Sequence, residues 1–185
     1  MAMMRDVLLG LALAGSLAGP QTVCAAVNNS AANGFSVTES LHIAAPPDKV
    51  YAALVMPSHW WSARHTFSKS AANLTLDASA GGCWCEKLAN GGSVRHLSVT
   101  YADPGEALVL RGALGPLQGL GVEGALTIEL KAAGDGTDLS ATYNVGGYLK
   151  DGLASWATPV DGVLAEQFGR LKSVVETGSP EPKEH

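Results

Sequence analysis

The fold of this chain is decided by residues 81–101, which read GGCWCEKLANGGSVRHLSVTY. Asn90-Gly91 in the middle is a strong β-hairpin signal, because both residues accept the positive φ angles of a two-residue turn. Such a turn pairs Glu86 with Arg95 and Trp84 with Leu97. We therefore expect two antiparallel strands that carry polar, aromatic and thiol side chains, in a chain that is only 16% charged.

Further strands extend the sheet on both sides of this hairpin. Short apolar or alternating runs separated by Gly, Pro and Asp turns predict strands, at residues 35–43, 74–77, 107–112, 126–131 and 137–145. Glu39 falls on the apolar side of the first of these. We interpret it as a bulge or strand-end effect, because buried carboxylates are rare.

Two helices frame the predicted strands. Pro46-Pro47-Asp48 favours a short helix, since Pro suits the first turn of a helix and Asp its positive end. Near the C terminus, apolar residues recur at helical spacing from Trp156 to Val175, and Gly178-Ser179-Pro180 ends the run. These elements indicate an α+β fold in which a curved antiparallel sheet wraps around a long C-terminal helix.

Several weak motifs in a fixed order together point to a known family. They are the order of elements, the segment APPDKVYAAL (residues 45–54), the Trp60-Trp61 pair, Gly81-Gly82, and a Pro-Gly turn before an apolar strand. In these the chain resembles the START-like, or SRPBCC, superfamily, closest to its AHSA-type (Hsp ATPase activator homologue) and polyketide-cyclase-like branches. The resemblance implies a helix-grip fold with a cavity between sheet and C-terminal helix. Members bind hydrophobic or amphipathic small molecules there, and some catalyse cyclisation or hydrolysis.

The N terminus has the layout of a secretory signal peptide. Arg5 supplies a positive start, residues 7–17 form an apolar run, and Val23-Cys24-Ala25 offers small residues for cleavage. The run is shorter than the ~20 residues of a transmembrane helix; an uncleaved anchor is the alternative. We expect an exported protein, periplasmic or secreted, with no stable membrane insertion after cleavage. Its predicted divisions are a signal peptide (1–25), a flexible leader (26–34), one START-like ligand-binding domain (35–177) and a disordered tail (178–185).

Charge and cysteine content argue against several classes of function. The net charge is −5 and the chain has no basic cluster, which disfavours nucleic acid and anionic membrane surfaces as partners. Cys83 and Cys85 offer only two soft ligands, whereas structural zinc normally has four. We therefore expect no metal and no cofactor, and two buried thiols are the simpler interpretation. The chain also lacks a Gly-x-Ser-x-Gly elbow and a phosphate-binding loop.

The predicted pairing assigns the hairpin side chains to faces. A five-residue turn over residues 102–106 would pair Leu97 with Arg111 and Val99 with Val109, so that Leu97, Val99, Tyr101 and Val109 share the inner face. The candidate site residues on that face are Trp84, Glu86, Arg95 and Arg111. A buried Arg suits an anionic ligand group; the alternative is a Glu86–Arg95 ion pair at the rim. Cys83, Cys85 and His96 face outward, but a one-residue shift at the turn would bring His96 inside.

Aromatic residues outside the hairpin complete the candidate ligand site. Trp60 and Trp61 could close one end of a cavity, and Tyr143 and Trp156 could line it. Ordinary packing is the alternative for all four. His65 could act as a general base beside a carboxylate, although a solvated loop position is the simpler interpretation.

Three functions remain open. We favour a non-catalytic domain that binds a small hydrophobic or amphipathic molecule between sheet and helix. The second is a cyclase- or hydrolase-type enzyme with Glu86 or His96 as acid or base and Arg111 holding an anionic group. The third is a protein-interaction or chaperone-regulating module that uses the Gly-rich loop 114–124 as its contact surface.

Overall fold

A computed structural model of the chain describes residues 24–181. The strands are β1 (Cys24–Ala31), β2 (Gly34–Ile43), β3 (Leu74–Leu76), β4 (Cys83–Lys87), β5 (Ser93–Asp103), β6 (Ala107–Arg111), β7 (Gly121–Ala133) and β8 (Gly136–Tyr148). The α-helices are α1 (Pro47–Leu54), α2 (Pro57–Trp60) and α3 (Ala157–Thr177). Short 3₁₀ turns lie between several of them.

Within residues 24–181, eight strands form one antiparallel sheet in the order β1-β2-β8-β7-β6-β5-β4-β3. Helix α3 packs against one face of this sheet, because Leu164, Phe168 and Leu171 recur at helical spacing and are fully buried. The helix ends where Gly178 adopts a left-handed conformation with φ 79°. This is the helix-grip arrangement, and the predicted fold class is confirmed.

The N-terminal part departs from the sequence prediction. Residues 26–34, predicted to be a flexible leader, instead contribute most of β1, whose Val27 pairs with Val37 of β2. The leader prediction was wrong because residues 26–31 form a polar edge strand that is exposed along its whole length. Such a strand buries neither face and so lacks the apolar alternation that predicts a strand. The predicted signal peptide falls almost entirely on residues 1–23, outside the described residues.

The predicted disordered tail is also partly ordered. Residues 179–181 fold back along α3: Glu181 forms an ion pair with Arg170 (2.6 Å), and the hydroxyl of Ser173 donates to the carbonyl of Glu181. Residues 182–185 lie outside the described residues.

The hairpin register differs from the prediction by one residue at the turn. The amide of Leu88 donates to the carbonyl of Gly92 and the amide of Gly92 to that of Ala89, so the turn has three residues rather than two. Glu86 therefore pairs with Val94 and Cys85 with Arg95. A β-bulge then restores the predicted pairing of Trp84 with Leu97. Because His96 is the extra residue, it turns inward with Leu97, and both are buried.

A second bulge displaces the next hairpin. Tyr101 pairs with Val109, but Val99 pairs with Leu110 and Ser98 with Arg111. Leu108 and Leu110 are thus the buried residues of β6, while Tyr101 is half exposed. Arg95 and Arg111 are both exposed, so their predicted inward orientation was wrong.

Glu39 on β2 is fully buried, not displaced by a bulge or strand end. Neither carboxylate oxygen has a hydrogen-bond partner among the described residues. Burial, followed by the nearby Asp161, raises its pKa from 4.5 to about 7. The interior therefore contains a carboxyl group that takes up a proton near neutral pH.

Candidate functional site

A cavity of about 360 Å³ lies beside the N-terminal half of α3. Helix α3 supplies one wall through Val160, Val163 and Leu164, with Trp156 just before it. The segment 61–67 and the loop residues 114–117 supply the others, and His96 reaches in from β5. The lining is mainly apolar, with a few polar groups at defined places, as is usual for small-molecule sites.

Glu86 and His96 form a buried pair at this cavity. The Nε2 atom of His96 lies 2.9 Å from Oε2 of Glu86, and the two residues are 7% and 0% exposed. The backbone amides of Phe67 and Ser68 donate to the two oxygens of the same carboxylate. The Phe67 ring stacks on the imidazole with centroids 5.9 Å apart. Glu86 therefore holds both the histidine and the segment that covers it.

The protonation of the pair follows from these contacts. Burial works to raise the pKa of Glu86, but the hydrogen bonds from Ser68, Phe67 and His96 outweigh it and hold that pKa below its ordinary value. Burial lowers the pKa of His96, and Glu86 only partly offsets this. At neutral pH the carboxylate is thus charged and the imidazole neutral. Since a carboxylate only accepts, Nε2 of His96 carries the proton and Nδ1 is left as an acceptor.

A second histidine–carboxylate pair lies at the same cavity. Nε2 of His65 is 3.2 Å from Oε2 of Glu166, whose other oxygen accepts from the Arg64 guanidinium at 2.8 Å. Arg64 and His65 both line the cavity. His65 is thus partly buried beside a carboxylate rather than solvated. The partner could not be identified from sequence, because Glu166 lies on α3, 101 residues away.

Segment 60–68 is tied to α3 at two further points. The side chain of Gln167 accepts from the amide of Ser62 at 2.7 Å, and the guanidinium of Arg170 donates to the carbonyl of Trp60 at 2.8 Å. With Glu86 on one side and α3 on the other, the segment spans two structural layers. It leaves Phe67 51% exposed at the cavity mouth.

Three of the predicted aromatic residues form one packed cluster. Trp84 lies edge-on to Trp61 at 4.9 Å and to Trp60 at 5.9 Å between ring centroids. Trp60 also stacks on Phe168 of α3 at 6.1 Å. Trp61 lines the cavity, whereas Trp60 and Trp84 pack behind its wall.

The other predicted site residues separate into different places. Trp156 and His96 line the cavity, and Arg95 and Arg111 do not. Tyr143 is buried beneath the loop after β6, where its hydroxyl donates to the carbonyl of Gly112 at 2.8 Å and accepts from the amide of Leu114 at 3.1 Å. Burial raises the pKa of this tyrosine to about 12. It holds the loop that forms one cavity wall.

Comparison with known proteins identifies the family. The model of the family described as polyketide cyclase / dehydrase and lipid transport matches residues 34–176. The chain belongs to this family. It lies in the SRPBCC superfamily and has the helix-grip fold of that superfamily. No curated protein matches the sequence closely enough to name a relative.

Solved structures of family-like proteins share the fold. A conserved protein of unknown function from Enterococcus faecalis aligns with TM-score 0.57 and 15% identity, covering 89% of this chain and 82% of that one. CalU16 from Micromonospora echinospora gives 0.55 and 17%, covering 88% and 78%. The Aha1 dimer from Colwellia psychrerythraea gives 0.52 and 20%, covering 77% and 97%. The similarity supports both branches named from the sequence, at the level of fold.

Between residues 24 and 181, no helix is long and apolar enough to cross a membrane. In that same range, no three His, Cys, Asp or Glu side chains meet in a way that could hold a metal ion.

Proposed function

We propose that this family member binds a small, largely apolar molecule in the cavity beside α3. The support is the cavity itself: about 360 Å³, at the lower end of the ~300–1,000 Å³ typical of small-molecule sites. Aliphatic side chains of α3 and the rings of Trp61 and Phe67 line it.

His96 gives the proposed ligand one polar requirement. Its Nε2 proton is committed to Glu86, and among the described residues nothing pairs with Nδ1. A hydroxyl or other donor on the ligand would bind this nitrogen, which a wholly apolar ligand would bury without a partner. The ligand we propose is therefore amphipathic, with an apolar body and a hydrogen-bond donor at one end.

Val163→Trp tests the cavity as the binding site. The larger side chain fills the space beside α3, so affinity for an apolar ligand should fall about tenfold or more, which is ~1.4 kcal/mol. The matched control is Val27→Trp, at an exposed position of β1 outside the cavity wall. Displacement of a fluorescent long-chain alcohol, which has an apolar body and a hydroxyl donor, measures affinity. Native mass spectrometry of protein from its own host identifies any bound molecule. Equal affinity in both variants would exclude this cavity.

The Glu86–His96 pair favours one second candidate, an enzyme that transfers a proton. A neutral imidazole oriented by a buried carboxylate is the arrangement of a general base. Nδ1 of His96 would remove a proton from the ligand, and Glu86 would stabilise the imidazolium that forms. The test is deuterium uptake by the co-purified molecule in D₂O. Catalysis predicts uptake that His96→Gln abolishes, whereas simple binding predicts none.

Export to an oxidising compartment is also part of the proposal. It is supported by the signal-peptide layout of residues 1–25 and by the bond between Cys83 and Cys85. Disulfides persist in secreted and periplasmic proteins and are rare in the cytosol. N-terminal sequencing of the protein recovered from its host should find a start near residue 26. An intact N terminus in a cytosolic fraction would reject export.

A further inference from the structure

Cys83 and Cys85 are joined by a disulfide that spans a single residue of β4. Their side chains are partly exposed on the outer face of the sheet, while Trp84 and Glu86 are buried on the inner face. The covalent link therefore lies directly behind the two side chains that support the cavity wall and hold His96.

Global stability does not explain such a short link. A disulfide stabilises a fold mainly by restricting the unfolded chain, and the effect grows with the length of the loop it closes. Here the cysteines are two positions apart, so the loop is close to the shortest possible. The local geometry of β4 is where this bond has its effect.

The bond coincides with a contraction of β4. The Cα atoms of Cys83 and Cys85 are 5.4 Å apart, against about 6.6 Å for two residues of a regular strand. On β5 the register slips at the same point: Trp84 pairs with Leu97 and Cys85 with Arg95. A shortened strand thus faces a strand with one extra residue, which is the definition of a bulge.

The extra residue is His96, and the bulge is what turns it inward. In an unbulged ladder His96 would share the outer face with the residues on either side of Trp84, since side chains alternate. Instead His96 and Leu97 are both buried, and Nε2 of His96 reaches Glu86. The position of the histidine thus depends on the mismatch in length between β4 and β5.

The outer face suits thiol–disulfide exchange. Arg95 pairs directly with Cys85 in the ladder and is exposed, and directly paired residues of an antiparallel pair point to the same face. A neighbouring guanidinium stabilises a thiolate, which makes it a better leaving group in exchange. Arg95, predicted to bind a ligand, would act here instead.

We propose that Cys83–Cys85 is a reversible disulfide, reduced by a dithiol, and that its oxidation state determines whether His96 is held against Glu86. One thiolate of the dithiol attacks a sulfur of the bridge, and the other cysteine leaves as a thiolate and takes a proton from water. The second thiol of the reductant then resolves the mixed disulfide. Two electrons and two protons pass to Cys83 and Cys85, and the reductant becomes a disulfide. Any effect on ligand affinity rests on the proposed function; the exchange itself does not.

The experiment uses the full chain with Cys24→Ser, so that only Cys83 and Cys85 can react. Dithiothreitol is added to the folded protein, free thiols are counted, and ¹⁵N-labelled histidine side chains are followed by NMR. Before reduction, His96 should show the neutral tautomer with the proton on Nε2, in slow exchange with water. After reduction, two thiols should appear and the slow Nε2 proton signal should be lost, while far-UV circular dichroism stays unchanged.

Two results would overturn the proposal. One is a bridge that reacts with dithiothreitol only once the protein unfolds. The other is an identical His96 spectrum in the oxidised and reduced protein. The double variant Cys83→Ser/Cys85→Ser should reproduce the reduced spectrum. If this variant does not fold, the reduction of the folded Cys24→Ser protein is the deciding test. Arg95→Ala should slow the exchange and leave the His96 spectrum of the oxidised protein unchanged.

Binding of a fluorescent long-chain alcohol separates this proposal from the proposed function. If both hold, its affinity should change on reduction of the Cys24→Ser protein. Failure to bind in either redox state would refute ligand binding but leave the thiol count and the His96 spectrum to support exchange. Binding that is equal in both states, with a His96 signal that moves, would confine the effect of the disulfide to the histidine.

Discussion

Glu86→Gln tests whether the buried carboxylate organises the site. Glu86 is fully buried and accepts from three donors, the amides of Phe67 and Ser68 and Nε2 of His96. Gln keeps the size of the side chain but replaces one accepting oxygen with a donating NH₂ group. Wherever that group lies, it faces at least one N–H with no acceptor for it.

These contacts set the loss of folding free energy in Glu86→Gln. In the best case Gln accepts from Ser68 or from Phe67, and His96 changes tautomer to accept from the new amide. At least one of the two backbone amides then lacks a partner, and the charge that strengthened the other hydrogen bonds is gone. Hydrogen bonds to charged groups contribute about 1.5–3 kcal/mol, and an unsatisfied buried donor costs about 1–3 kcal/mol. We expect a loss of about 3 kcal/mol, or roughly 6–12 °C in Tm for a domain of this size.

Thermal and urea unfolding followed by circular dichroism at pH 7 measure this loss. Glu123→Gln is the matched control, because Glu123 is exposed on β7 and should change stability by no more than about 0.5 kcal/mol. The difference between wild type and Glu86→Gln should also depend on pH. The folded-state pKa of Glu86 is lowered, so its contribution is present above the unfolded value of 4.5 and is lost as pH falls through the folded value. A loss at pH 7 below about 0.5 kcal/mol would refute the reasoning.

Three further predictions concern the interior and the cavity. Glu39→Gln should stabilise the protein by about 3 kcal/mol at pH 8 and by almost nothing below pH 4.5. The raised pKa of Glu39, about 7 against 4.5, makes wild type lose about 1.4 kcal/mol per pH unit as pH rises between these values; pH-dependent melting curves with no such trend would contradict it. Gly124→Ala places a methyl group 2.5 Å from the Tyr143 ring and should cost about 1–3 kcal/mol. In urea unfolding, the exposed Gly119→Ala, with nothing near its added methyl group, is the comparison, and equal stability of the two would be inconsistent with a fixed Tyr143. The double variant Arg95→Ala/Arg111→Ala should leave the affinity for the long-chain alcohol unchanged, because both side chains are exposed and outside the cavity wall; a clear loss in the displacement assay would show that one of them contacts the ligand.

The sequence predicted the elements well because their signals are local. The apolar spacing from Trp156 to Val175 identified α3, and Gly178 ends it as expected. The helix predicted from Pro46-Pro47-Asp48 is also confirmed. Helix α1 begins at Pro47, and its Val50, Tyr51 and Leu54 are buried. Both signals lie within the segment that folds, so no long-range information was needed.

The faces of the hairpin were harder to predict because they depend on counting residues through turns. Asn90 and Gly91 do adopt positive φ angles, 58° and 79°, but in a three-residue turn. A one-residue shift in register moves every side chain of a strand to the other face. The bulge at His96 then restores the predicted pairing of Trp84 with Leu97. His96 was therefore predicted outside and lies inside, and Arg95 the reverse. Trp84 and Glu86 lie inside as predicted. The register shift and the bulge displace residues of β5 and leave the alternation along β4 unchanged.

The contacts that build the cavity join distant parts of the chain. His65 meets Glu166 across 101 residues, and Ser62 meets Gln167 across 105. A loop histidine and an exposed-looking glutamate on α3 give no pairwise signal in a single sequence. Glu39 likewise falls on the apolar side of the alternating pattern of β2. The sequence does not show that this side chain is buried, because no bulge or strand end moves it out of the core.

Two cavity walls are made of loops rather than strands, and this has a consequence for how the family can diversify. Segment 61–67 lies between α2 and β3, and residues 114–117 lie between β6 and β7. A loop can be lengthened or shortened without breaking a β-ladder. Ligand size and shape could thus be re-engineered by exchanging these two loops between relatives, provided that Glu86, Gln167 and Tyr143 still anchor their ends.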